Sequence, residues 1–147
     1  VLAQHFERKN TYVFQYKGKK VIANGCQCFE ESKFDVICKE FNVSTEQKDQ
    51  VLKALSEVTE SSFDGIIAII KKYPNEMVQL FSTDIELCKL SVIENCRAIE
   101  FVQNQTEEIC KIAVNQNGLA LQYIENKTEE ICKLAVQQKS ICFIFCQ

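Results

Sequence analysis

A 22-residue period in the last third of the chain limits the folds open to it more than any other feature. Cys88, Cys110 and Cys132 stand 22 residues apart. Residues 106–116 match residues 128–138 at 9 of 11 positions, and residues 84–94 form a more diverged copy with four identities to the first. The segments between copies align too, with Ala98-Ile99-Glu100-Phe101-Val102 falling on Ala120-Leu121-Gln122-Tyr123-Ile124. A fixed period of this length means a stack of like units, none of which buries its apolar face alone.

Each unit is expected to hold two short helices, one around Leu119 to Ile124 and one from Glu107 to about Gln116. Thr106 and Thr128 are placed to cap helix N-termini, and Glu107, Glu108, Glu129 and Glu130 follow in first turns, where the helix dipole favours negative charge. Glu107 with Lys111 and Glu129 with Lys133 are i,i+4 pairs in the better orientation. Ile109, Cys110, Ala113 and Val114 make the buried face.

The run from Asn117 to Val136, Asn-Gly-Leu-Ala-Leu-Gln-Tyr-Ile-Glu-Asn-Lys-Thr-Glu-Glu-Ile-Cys-Lys-Leu-Ala-Val, resembles the tandem repeat of unknown function of the DUF4116 type. That repeat is found in proteins of large DNA viruses of amoebae, Marseillevirus relatives among them. The resemblance covers residues 82–147. It implies a helical-repeat fold and a viral protein of the infected cell, located in cytoplasm, viral factory or nucleus, or packaged in the virion. It brings no catalytic residues and no known activity.

The N-terminal region reads differently. Tyr12, Phe14 and Tyr16 alternate with Val13 and Gln15, and Lys17-Gly18-Lys19 precedes Lys20-Val21-Ile22-Ala23, which is a β-hairpin pattern. Asn24-Gly25 offers a turn. A short helix is expected from Ser32 to Phe41, stopping near Asn42, with Phe34, Ile37, Cys38 and Phe41 on one face. Ser44 with Gln47 makes a capping-box start for a longer helix whose inner stripe would be Val51, Leu52, Leu55 and Val58. After a break at 59–62, Ile66, Ile67, Ile69 and Ile70 mark the most apolar helix, ending before Pro74. The expected organisation is residues 1–81 as hairpin and capping helices and 82–147 as tandem helix pairs, forming one compact unit. The fold class is mainly α, a short α-solenoid-like stack with an N-terminal hairpin.

Composition supports this and narrows the chemistry. One proline and four glycines leave little turn material for a many-stranded β fold, while 46% hydrophobic residues supply a core. A formal net charge of −3 gives no global attraction to nucleic acid or anionic lipid. No apolar run approaches the roughly 20 residues that span a bilayer. Nine cysteines are an odd number, and no secretory leader opens the chain at Val1, so mostly free thiols in a soluble intracellular protein are expected.

Catalytic equipment is sparse. The single histidine, His5, limits acid–base and nucleophilic schemes. Gly18, Gly25, Gly65 and Gly118 are isolated, so no phosphate-cradling loop is formed. Cys26 with Cys28 and Cys142 with Cys146 lack zinc-knuckle spacing, so no metal or cofactor is expected. Cys88, Cys110 and Cys132 fit small apolar packing positions, since stacked helices roughly 8–10 Å apart are too distant for disulfides.

Two candidate sites remain. Lys17, Lys19 and Lys20 form a basic hairpin tip flanked by Tyr12, Phe14 and Tyr16, where a nucleic acid could be steered and stacked; solvated lysines guarding a strand edge explain them as well. Ile141, Phe143, Ile144 and Phe145 belong to an apolar C-terminal segment that aligns with the first helix of a further unit and suits burial against a second copy, giving a homodimer, or against a viral or host partner. A tail folded over its own core is the rival. The leading expectation is a non-enzymatic protein–protein interaction scaffold, with a nucleic-acid-associated viral factor or a structural virion component as alternatives.

Overall fold

The computed structural model describes residues 11–25 and 27–138. The described chain is mainly helical, with an antiparallel three-stranded sheet near its N-terminus. Backbone contacts divide it into two compact units, residues 1–69 and 70–147.

In the first unit β1 (Thr11–Tyr16), β2 (Lys19–Asn24) and β3 (Gln27–Glu30) lie in the order β1-β2-β3. The expected hairpin closes with Tyr16 opposite Lys19, and both turn residues are left-handed, Lys17 at φ 48° and Gly18 at φ 77°. That is the type I′ geometry, whose twist matches the strands it joins. The third strand, pairing from Asn24↔Gln27 to Val21↔Glu30, was not read from the sequence. Val21, Ile22 and Ala23 of the central strand are completely buried, so both sheet faces are covered.

On one face Val13, Ile22 and Phe29 stand in register and meet Phe34 and Cys38 of α1 (Phe34–Glu40) and Val51 and Leu55 of α2 (Thr45–Glu57). On the other, Phe14 pairs with Val21, and the Tyr16 ring lies 6.4 Å from that of Phe63. α1 stops where expected: Asn42 is left-handed at φ 52°, and the Val43 N–H returns to the Cys38 carbonyl at 3.0 Å, closing a Schellman-type turn. The expected capping box starts α2, with Ser44 Oγ accepting from the Gln47 N–H and Gln47 Oε1 from the Ser44 N–H, both at 3.3 Å. Its inner stripe is narrower than read, because Leu52 is 42% exposed and only Val51 and Leu55 are buried.

The helix α3 (Phe63–Lys72) carries Ile66 and Ile70 to complete burial. Pro74 both ends it and begins α4 (Pro74–Leu80), occupying the first helical position, where its missing N–H costs nothing.

The second unit holds α5 (Ile85–Glu94), a 3₁₀ helix at Cys96–Phe101, α6 (Glu107–Gln116), a 3₁₀ helix at Gly118–Tyr123 and α7 (Glu129–Gln138). α6 packs between α5 and α7, and the 3₁₀ helices pack on each other and on the α-helices flanking them. α4 packs on α5 and on Cys96–Phe101. Residues 70–81 thus belong to the same compact unit as the repeats. At Cys96–Phe101 and Gly118–Tyr123 the shorter helix is 3₁₀ rather than α, which raises its rise from about 1.5 to about 2 Å per residue and lets six residues span most of a neighbouring three-turn helix.

Candidate functional site

The repeat is built from its caps inward. Thr106 and Thr128 accept from the backbone N–H of Ile109 and Ile131, each at 3.4 Å, as the sequence predicted. Asp84 does the same for Leu87 at 3.2 Å. Ser62, one further period back, accepts from Gly65 at 3.3 Å. The starts of α3, α5, α6 and α7, at residues 63, 85, 107 and 129, share the same step. The period thus extends to Ser62, one full unit earlier than the sequence alone showed. Asn95 and Asn117 cap the 3₁₀ helices in the same way, each taking a backbone N–H two residues on at 3.1 Å.

Behind the caps, equivalent positions are buried together. Leu87, Ile109 and Ile131 occupy one, Val92 and Val114 another, and Ser91, Ala113 and Ala135 a third. Ser91 Oγ has no hydrogen-bond partner. Cys88 and Cys110 fill a fourth position as neutral thiols. Cys88 Sγ lies 3.6 Å from the carbonyls of Phe81 and Ser82, and burial pushes its pKa up to about 11. Burial also raises the Cys110 thiol. Among the described residues, Cys38, Cys88, Cys96 and Cys110 are free thiols.

Polar side chains join one unit to the next. Lys89 of α5 pairs with Glu108 of α6, and Lys111 of α6 reaches Glu130 of α7 at 2.9 Å while holding Glu107 of its own helix at 2.9 Å. The sequence showed only the pairs within a helix; the 19-residue offset from lysine to the next unit's glutamate was the signal for the rest. Gln105 Nε2 donates to the carbonyls of Ile99 (3.1 Å) and Tyr123 (3.0 Å), and its Oε1 accepts from the Glu125 N–H (3.0 Å). Gln116 Nε2 donates to the Ile93 carbonyl. The Arg97 guanidinium lies 5.9 Å from the centre of the Tyr123 ring.

The hairpin tip is arranged less favourably for stacking bases. Phe14 and Tyr16 are buried at 5% and 7% exposure, leaving Tyr12 as the exposed aromatic of the three, about 13 Å along the strand from Tyr16. Lys17 lies 5.8 Å from the Tyr16 ring centre, Lys19 is exposed and Lys20 is half-buried on the alternate face. The Gly18 N–H donates to Glu60 Oε2 at 3.4 Å, which brings a carboxylate to the basic turn. Ile141, Phe143, Ile144 and Phe145 lie outside the described residues, as do His5, Cys26, Cys142 and Cys146.

No family model, curated protein or solved structure matches the chain. Among the described residues no cluster of His, Cys, Asp or Glu is placed to hold a metal ion, and no helix is long and apolar enough to cross a membrane. What the arrangement offers chemically is a ribbon of repeated capped helices, with lysine–glutamate pairs along one surface and amide clamps to the backbone within it.

Proposed function

We propose that this chain is a non-enzymatic protein–protein interaction scaffold that self-associates, with the helical array as its working part. The observation that carries the reading is the recurrence of one junction through α5, α6 and α7: the same capping position, equivalent buried side chains and the same lysine-to-glutamate bridge. Such an array recognises by shape and burial along an extended face. The resemblance of the 117–136 run to repeats of large DNA viruses of amoebae supports a viral setting, with a viral or host protein as further partner.

The test is the solution mass by light-scattering chromatography under reducing conditions, for the chain and for a Phe143→Ser, Phe145→Ser variant. A dimer is expected for the unaltered chain. A folded monomer in the variant would locate the contact in the C-terminal segment. A monomer in both would overturn self-association and redirect the search to an external partner.

A further inference from the structure

Two isoleucines stand on the outside of the array. Ile85 and Ile93 of α5 are 43% and 44% exposed. α6 fills the equivalent positions with Glu107 and Asn115, and α7 with Glu129 and Gln137, all of them exposed, so α5 alone of the three departs from a polar surface there. A single apolar residue on a surface needs no explanation, but these two replace the polar residues of a repeated pattern. They lie about 12 Å apart along the axis and about 80° apart around it, on the outward half of the helix. Half-buried Leu90 lies between them in sequence. Each isoleucine is followed by an exposed glutamate, Glu86 and Glu94, and no described residue forms an ion pair with either. Lys89, the basic residue of α5, is already paired with Glu108 of α6.

We propose that this face of α5 seats an amphipathic helix of another protein, one that carries two apolar anchors about two turns apart, each beside a lysine or arginine. The charges select that occupant. Glu108 takes up the charge of Lys89, so the face presents two uncompensated carboxylates, each next to an apolar residue, and basic residues flanking the anchors complement it. A second copy of α5 does not. A two-fold axis through the middle of the face would bring Lys89 against its own image and would supply Glu86 and Glu94 with no cation. This inference rests on the interaction-scaffold reading above but not on self-association, and it gives the chemistry of the further partner.

The experiment measures fluorescence anisotropy of two labelled amphipathic peptides of about 16 residues at low salt, one built of leucine and lysine, the other of leucine and glutamate in the same pattern. The leucine–lysine peptide is expected to bind and the leucine–glutamate peptide to stay free. Ile85→Glu with Ile93→Asn installs the residues of the next unit, which the repeat already accommodates, and is expected to weaken binding at least about tenfold. Glu86→Lys with Glu94→Lys is expected to reverse the preference between the peptides. Circular dichroism checks that both variants fold. Failure of the leucine–lysine peptide to bind, equal binding of the two peptides, or binding unchanged by the isoleucine substitutions overturns the proposal. Solution mass on the same samples keeps it apart from self-association. A dimer that persists without peptide binding removes this face alone, and a dimer lost in the isoleucine variant assigns the face to a second copy and overturns the proposal.

Discussion

Lys111 Nζ lies 2.9 Å from Glu130 Oε1, bridging α6 to α7. Its bonds to Glu130 and Glu107 raise the lysine's pKa, and Lys111 holds the Glu130 carboxyl below the usual glutamate range. A carboxyl with a lowered folded pKa contributes stability above its unfolded pKa of about 4.3 and loses it as pH falls through the folded value. Glu130→Gln is therefore expected to lower Tm slightly at neutral pH and low salt. The difference from the unaltered chain should vanish in acid and near about 1 M salt, where the Debye length is about 3 Å. A difference insensitive to both would show that the bridge acts through packing instead.

Ser91 places a hydroxyl without a partner at a position where Ala113 and Ala135 stand in the next two units. Ser91→Ala removes the buried, unsatisfied group and leaves a methyl that the array already accommodates twice. Denaturant unfolding should show a gain of about 1 kcal/mol.

Gln105 serves two carbonyls and one amide of adjacent units through a single side chain. Gln105→Ala should cost about 2 kcal/mol by the same measurement. Gln105→Glu keeps the shape but turns an acceptor toward the carbonyls of Ile99 and Tyr123, so it should be worse than alanine at neutral pH and partly rescued in acid, where the carboxyl regains a donor.

Asn42 holds the left-handed position that ends α1. Asn42→Ala should cost about 1 kcal/mol, because alanine gains nothing to offset the strain between its Cβ and the backbone carbonyl. Asn42→Gly should be neutral or stabilising. Equal effects of the two substitutions would show that the asparagine side chain, rather than its backbone, terminates the helix.

Burial pushes the Cys88 thiol pKa up to about 11, whereas an unfolded thiol ionises near about 8.5. A raised folded pKa means stability that is complete below the unfolded value and lost as pH rises toward the folded one. The chain should lose on the order of 3 kcal/mol from this group between about pH 8.5 and 11. Cys88→Ala should flatten that part of the pH profile, although it lowers stability at neutral pH.

The repeats were legible where two copies kept both their caps and their buried residues, as in 106–116 and 128–138. They were illegible at α3 because Ile66 and Ile70 replaced the buried Cys and Val, leaving the Ser62 cap and the spacing as the surviving marks. The hairpin and the ends of α1 and α2 were readable because Lys17-Gly18, Asn42 and the Ser44–Gln47 box act through local geometry. Strand β3 was missed because four residues carry too little alternation to stand out from a loop. Helical periodicity placed Leu52 in the inner stripe with Val51, but tertiary contacts chose the face centred on Val51 and Leu55. For the same reason, the tip lysines were visible in sequence while the burial of Phe14 and Tyr16 beside them was not.

Gln105 sits where one unit hands over to the next, and the bonds it makes are to backbone atoms. A clamp that grips carbonyls and an amide is indifferent to the side chains on either side of it. Thr83 and Lys127 stand one period to either side, so an in-frame duplication would bring this fastening along only if it copied the unit that carries Gln105.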